Sequence, residues 1–331
     1  MKSIVYIVPY FGKFPDFFNI WLESCRYNKT VDWLIFTDDR TQFSYPSNVH
    51  VYYTTFDDIR SRIQGIFDFP ITLHKPYKLC DYKPCYGAVF QEYINSYDYW
   101  GFCDIDLIWG DIRTFVTDEI LENYPKIGFS GHSTIIRNEN FYNNLFRNEI
   151  NGNSFKELIT KEENGFSDEI FLNNLYIHLG IPFYDSVMFA NLSSFVHNFY
   201  ITHLPKGEVS KNKKFIFCYD LGHIYRIAVV NNQLSKDEFM YVHFLKRKMD
   251  IHIDYKTSKY LIVPNKLIPF QNLTIGFIKK ANNPHWLRFI AKHFCENAYK
   301  LNYKTIIPIF KAKLLGYYKI FSNNYKKEYR K

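Results

Sequence analysis

Trp100-Gly101-Phe102-Cys103-Asp104-Ile105-Asp106-Leu107-Ile108 sets two carboxylates, two positions apart, at the end of a short apolar run. Read as a buried strand, this stretch delivers Asp104 and Asp106 where the backbone leaves a sheet, both able to face one divalent cation. In an open α/β sheet, ligands bind beyond the carboxyl ends of the strands, so the position suits a site. Paired oxygen ligands suit Mg²⁺ or Mn²⁺, with water and the phosphate oxygens of a substrate completing the coordination. The same pair also reads simply as the solvated end of a strand.

Outward from this stretch, apolar runs alternate with turn signals as a βα pattern does. Residues 3–8 are expected to form a first strand, 9–12 a turn, and 14–27 a helix with Phe17, Phe18, Trp21, Leu22 and Cys25 at helical spacing. Residues 32–39 read as a second strand ending in acids, and 49–54 as a third. Pro84 is placed to open a helix over 84–97, because a first-turn residue has no helical partner for its N–H. Short strands are expected at 127–130 and 133–137 around Gly131-His132. Ser167 is the expected N-cap of a helix running to Leu179, with Asp168 and Glu169 in its first turn. Residues 183–230 read as irregular strands and loops. The stretch 241–248 closes a domain spanning 1–250, and no internal repeat is visible.

A chain of 331 residues with 47% hydrophobic content can bury a full core, which excludes a disordered chain. The six cysteines are scattered, with no Cys-x-x-Cys pair and no histidine spacing for zinc, so they read as reduced thiols in an intracellular, cytoplasmic protein. The first ten residues carry one cation and a short apolar run ending at Pro9, which fits a strand better than a signal peptide. No apolar stretch reaches the roughly 18 residues of a membrane span. The net charge of +8 is unevenly placed: residues 279–331 hold 11 Lys and 2 Arg against Glu296 and Glu328, a local +11 that leaves the rest at −3. Residues 251–331 are therefore read as a basic, aromatic, helical extension. Such helices bind an anionic membrane surface, gaining about 1 kcal/mol per basic residue, or else cover the core with their lysines in solvent. No recognition motif accompanies the basic residues, so nucleic acid is not an expected partner.

The order of features resembles the GT-A glycosyltransferases over residues 1–250: an N-terminal strand, an acid-ended second strand, a helix, an apolar strand into Asp-x-Asp, a later acidic helix start and a late histidine beside lysines. The string Lys75-Pro76-Tyr77-Lys78-Leu79-Cys80-Asp81-Tyr82-Lys83-Pro84, followed by residues 100–106, is similar to bacterial polysaccharide glycosyltransferases of capsule and O-antigen clusters. The resemblance implies a Rossmann-like α/β fold, with a mixed, mostly parallel sheet flanked by helices. It also implies a hexosyl group moved from a UDP-sugar to a glycan or lipid-linked glycan acceptor, at the inner face of the plasma membrane. That reaction needs positive charge where the departing diphosphate gathers negative charge.

By the same resemblance, Asp104 and Asp106 hold Mn²⁺ or Mg²⁺ against the diphosphate and His243 completes the metal coordination, as in retaining galactosyltransferases. Lys246 or Lys248 pairs with phosphate. Here His243 is followed by Phe-Leu-Lys, where those relatives carry a glycine-containing loop. Pro9, Tyr10 and Phe11 fall where the fold meets the base, Asp38 where it meets uracil or ribose, and Asp81 and Lys83 where it meets ribose. Gly131 and His132 are placed at the donor sugar. Asp168 or Glu169 is the general base of an inverting enzyme, or a donor and acceptor contact in a retaining one.

Plainer readings stand beside these: His243 as a core histidine, residues 246–248 as a solvated charge run, the others as caps and turns. A haloacid-dehalogenase-type phosphatase shares an Asp-x-Asp after an apolar strand, but its later Mg²⁺-binding Gly-Asp loop has no counterpart, since Gly110-Asp111 follows too soon. A non-catalytic carbohydrate-binding or membrane-surface module is the remaining alternative, and it predicts no metal-dependent affinity for a nucleotide diphosphate.

Overall fold

A computed structural model describes residues 1–150, 152–194, 198–203 and 214–282. The apolar runs at the front of the chain become β1 (Ile4–Pro9), β2 (Val31–Thr37), β3 (Val49–Tyr53) and β4 (Tyr99–Cys103), paired in parallel. β5 (Leu107–Trp109) follows the aspartates, and β6 (Lys126–Ser130) and β7 (Ser133–Arg137) join β4 through antiparallel pairing, giving the order β3-β2-β1-β4-β7-β6. The protein is thus mixed α/β.

Alternation along the strands divides the core in two. Tyr6 and Val8 of β1 pack with Trp21, Trp33 and Trp109 on one face, while Val5 and Ile7 pack with Phe36, Trp100 and Phe102 on the other. Helix α1 (Phe18–Arg26) covers the first face with Phe18, Trp21, Leu22 and Cys25, spaced i, i+3, i+4, i+7 as an apolar stripe requires. Helix α2 (Phe56–Gln64) covers the second through Ile59 and Ile63, and starts at a capping box in which Thr55 and Asp58 satisfy each other's backbone N–H. Trp21, Trp33, Trp100 and Trp109 are fully buried, and truncating such a side chain costs about 3–5 kcal/mol.

The later strands are β8 (Phe189–Asn191), β9 (Phe215–Asp220), β10 (His223–Val230), β11 (Gln233–Phe239), β12 (Tyr241–His243), β13 (Asp250–Ile251), β14 (Lys259–Val263) and β15 (Lys266–Pro269). They form a six-stranded sheet, β11-β10-β9-β14-β15-β13, and a three-stranded one, β5-β12-β8. Residues of β9, β10 and β14 pack with Ile20 of α1 and Ile108 of β5, and the opposite face of the six-stranded sheet is covered by the helix Ile275–Ala281.

Several expectations are corrected. The boundary at 250 cuts through a sheet, because β14 pairs with β9; the compact unit runs from Met1 to Asn282. Residues 251–269 are therefore strands and turns, and residues 283–331, which hold most of the expected basic extension, lie outside the described residues. Residues 183–230, expected to be irregular strands and loops, supply β8 and the regular strands β9 and β10. The helix expected over 84–97 is a 3-10 run, Pro76–Cys85, followed by the short helices Tyr86–Val89 and Gln91–Ile94. Burial of Lys78, Asp81, Tyr82 and Lys83 on their partners dictates that path over helical propensity. Ser167 is not an N-cap: its hydroxyl donates to the Asp81 carbonyl, and the residues Ser167–Phe171 form a π-helical turn entered through Phe166 at φ +51°. Among the described residues, no helix is long and apolar enough to cross a membrane.

Candidate metal and nucleotide site

The two aspartates occupy the connection between the two larger parts of the fold, since β4 ends at Cys103 and β5 begins at Leu107. β5 then pairs antiparallel with β12, setting His243 opposite Leu107, and the Phe244 N–H donates to the Asp106 carbonyl at 2.9 Å. This register brings His243 Nε2 to 3.0 Å from Asp106 Oδ1 and 3.9 Å from Asp104 Oδ2. One ligand atom from each of the three residues lies within 4.8 Å of the others.

The donor set fits a divalent cation. His243 is buried, and its Nδ1 lies 2.8 Å from Asn191 Oδ1. Asn191 Oδ1 accepts from Nδ1–H and directs Nε2 at the carboxylates, the arrangement in which metal-binding histidines are held by a neighbour of their other ring nitrogen. Two carboxylates and one imidazole match Mn²⁺ or Mg²⁺ better than a thiophilic ion. Burial works to raise the Asp106 carboxyl, but the His243 hydrogen bond and charge and the Lys246 backbone N–H outweigh it, holding the group below its ordinary value. It is therefore an anion at neutral pH.

Behind the cluster, Lys83 is buried and its Nζ donates to Asp104 Oδ1 at 2.8 Å, Asp168 Oδ2 at 3.1 Å and the Gly131 carbonyl at 2.7 Å. Burial disfavours the ammonium; the two carboxylates more than offset this and keep Lys83 well above its ordinary value. Asp168, desolvated and with Glu169 and Asp104 nearby, is pushed up to about 6 despite Lys83. Glu169 accepts the Gly131 N–H at 2.8 Å. A Cβ at Gly131 would lie 2.3 Å from Asp168 Oδ2, so any larger residue must displace that carboxylate from Lys83.

The cluster opens into a cavity of about 700 Å³ at the carboxyl ends of β1 and β4. Pro9, Tyr10 and Phe11 line one side, with Tyr10 stacked on Phe14 at 4.7 Å. Lys83, Asp104 and Asp106 line the floor, and Lys246 and Lys248 stand at the side formed after β12. The Lys246 N–H donates to Asp106 Oδ2 at 2.8 Å, while its Nζ donates to the Tyr77 hydroxyl at 2.8 Å.

Of the residues singled out from the sequence, Pro9, Tyr10, Phe11, Lys83, Asp104, Asp106, Lys246 and Lys248 line the cavity, His243 joins the cluster at its rim, Asp168 and Glu169 lie behind it on Lys83 and Gly131, and three stand apart. Asp81 is buried on Lys78 and the Gly165 N–H, each at 3.0 Å, and supports the 3-10 run without lining the cavity. Asp38 accepts the Gly12 N–H at 2.8 Å and shapes the loop after β1 from outside the cavity lining. His132 is buried behind His243, stacked on it at 4.3 Å, with Nδ1 2.8 Å from the Tyr241 hydroxyl. Burial and the nearby His243 hold it well below its ordinary value, so it is a neutral packing partner. Sequence reasoning missed Asn191, which lies in no motif, and gave no role to Tyr77, although it falls within the 75–84 string; each is placed by a contact across more than 50 residues.

The acidic and imidazole cluster at the rim of the cavity is a candidate site for a divalent cation. The chain belongs to a family described as of unknown function, DUF6625, whose model matches residues 6–271. That span contains every residue of the cluster and cavity and stops short of the basic tail. Among curated proteins, none matches this sequence.

Proposed function

We propose that the protein is a metal-dependent glycosyltransferase of GT-A type that moves a hexosyl group from a UDP-sugar to a surface-polysaccharide acceptor. The observation that carries this reading is the convergence of Asp104, Asp106 and His243 at the rim of the 700 Å³ cavity, with Lys246 and Lys248 beside them. Four parallel strands ending on the same edge as the aspartates support the fold assignment.

Asp104, Asp106 and His243 would hold Mn²⁺ or Mg²⁺, which when bound neutralises charge on a diphosphate leaving group. Lys246 and Lys248 add positive charge on the same side, and Lys246 reaches the diphosphate by exchanging its bond to the Tyr77 hydroxyl. Tyr10 offers an aromatic face for the base. Lys83 is a positioning residue: saturated by Asp104, Asp168 and the Gly131 carbonyl, it fixes the direction of Asp104 and ties it to Asp168 and Glu169. These two acids are the candidates for general base or for contacts to sugar hydroxyls, although neither lines the cavity: Asp168 is bonded to Lys83 and Glu169 to the Gly131 N–H.

The charge of the C-terminal residues also bears on where the enzyme works. A lipid-linked acceptor lies at the cytoplasmic membrane face, and the +11 of residues 279–331 supplies attraction to it.

Calorimetry with UDP and UDP-hexoses, with and without Mn²⁺, tests the reading. UDP is expected to bind only with metal, and Asp104→Asn with Asp106→Asn is expected to abolish that dependence. UDP binding that ignores both metal and substitutions would refute it.

A further inference from the structure

A second cavity, of about 630 Å³, lies at the open edge of the main sheet, between β3 and α2. Among the described residues β3 pairs with β2 alone, and its last two residues, Tyr52 and Tyr53, are 37% and 42% exposed. Their rings are held in place. Tyr52 stacks on Phe36 at 5.0 Å and meets Tyr93 edge-on at 4.9 Å, and the Arg40 guanidinium sits 5.1 Å from the Tyr53 ring.

Polar groups surround these rings. Asp58 receives Thr54, Thr55 and the Thr55 N–H on Oδ2, which leaves Oδ1 without a hydrogen bond among the described residues. The Tyr52 and Tyr93 hydroxyls likewise make none there. Arg62 is fixed 5.3 Å over the Tyr93 ring and pairs with Glu92 at 3.0 Å. With its charge already balanced by Glu92, Arg62 makes a poor phosphate site. Fixed aromatic faces beside a free carboxylate oxygen, free phenols and a planar guanidinium instead match a sugar: its C–H face lies on a ring and its hydroxyls reach the polar groups.

We propose that this crevice is a glycan-binding site separate from the metal pocket. Its position gives it a use. β3, β2, β1 and β4 are parallel, so Tyr53 ends its strand on the same edge of the sheet as Asp104. Three strand spacings of about 4.8 Å separate the two ends by about 14 Å, a span bridged by a short oligosaccharide. The crevice holds the acceptor chain while its end is extended. That second statement rests on the transferase reading; the binding of glycan does not.

The test is saturation-transfer NMR and calorimetry on the full chain in EDTA, with oligosaccharides built from hexoses, N-acetylhexosamines and uronic acids. At least one is expected to bind, with affinity reduced about tenfold or more by Tyr53→Ser and by Arg62→Gln, at unchanged thermal midpoint. Asp104→Asn with Asp106→Asn is expected to leave that binding intact. If Tyr53→Ser fails to fold, Arg62→Gln decides alone. Failure of every oligosaccharide to bind, or binding untouched by the crevice variants, overturns the proposal. A parallel UDP titration with Mn²⁺ separates the two readings, because loss of UDP binding with intact saccharide binding sinks the transferase and spares the glycan site.

Discussion

Replacing Lys83 by Met removes the one cation shared by Asp104, Asp168 and the Gly131 carbonyl. Breaking a buried ion pair from one side costs about 3–5 kcal/mol, because the remaining charge stays buried without a partner. The two acids do not share that cost equally. The Asp104 side chain is 33% exposed and keeps much of its water, whereas that of Asp168 is 11% exposed. Even with Lys83 present, Asp168 sits at about 6, some two units above an unfolded aspartate, which lowers stability by about 3 kcal/mol above pH 6. The sign follows from proton uptake: the folded state binds the proton more tightly, so stability falls as pH rises from about 4 to 6. Without Lys83 the carboxyl moves higher still, each unit adding about 1.4 kcal/mol at pH 8. Lys83→Met is therefore expected to cost about 3 kcal/mol at pH 8 and markedly less at pH 5, where Asp168 takes up a proton. Adding Asp168→Asn is expected to restore about 2 kcal/mol at pH 8. Urea unfolding of the four chains of this cycle at both pH values, in EDTA, measures these terms. A Lys83→Met loss equal at pH 5 and pH 8, or one that Asp168→Asn does not relieve, would refute this account of the cluster.

Further outcomes are expected elsewhere. Asn191→Leu removes the acceptor that orients His243 and should weaken Mn²⁺ binding about 10- to 100-fold, read by calorimetry and by a smaller Mn²⁺-dependent rise in melting temperature. Gly131→Ala drives a Cβ into Asp168 Oδ2 and should destabilise by about 2 kcal/mol or more, with Asp168→Ala relieving most of it in a double-mutant cycle. Lys126 is fully buried on the Gly128 carbonyl and Asn173 Oδ1, and burial holds it well below its ordinary value. The unfolded chain then binds the extra proton, so stability should rise with pH up to about 10 by as much as 1.4 kcal/mol per unit. In Lys126→Met that slope should be missing from urea titrations between pH 7 and 9.5. Finally, a chain ending at Asn282 should lose sedimentation with anionic vesicles that the full chain shows, and retained sedimentation would refute membrane attraction by the tail.

The legible parts of the fold and site were those whose physics is local. β1, β2 and β4 are buried on both faces and so read as continuous apolar runs, located to within a residue or two. Asp104, Asp106 and His243 were singled out because their chemistry is specific even when their spacing is not, and the structure brings the three together. The second sheet was illegible because β11, Gln-Leu-Ser-Lys-Asp-Glu-Phe, carries little apolar signal and is held as a strand by its long ladder with β10. Lys83 was placed at the site, but its protein partners were not legible: Asp104 is 21 residues away and Asp168 is 85, and only the topology brings them together. Asp168 and Glu169 look like helix-start acids in sequence, and the π-helical turn redirects them toward Gly131 and Lys83.

The pairing of β5 with β12 also has a consequence in time. Asp106 and the histidine that faces it are 137 residues apart in the chain. At about 5–20 residues per second, the ribosome takes roughly 7–27 seconds to supply the third member of the cluster after the second. A nascent chain therefore spends that interval with the two acids and without His243, so the proposed metal site is complete only once β12 has docked on β5.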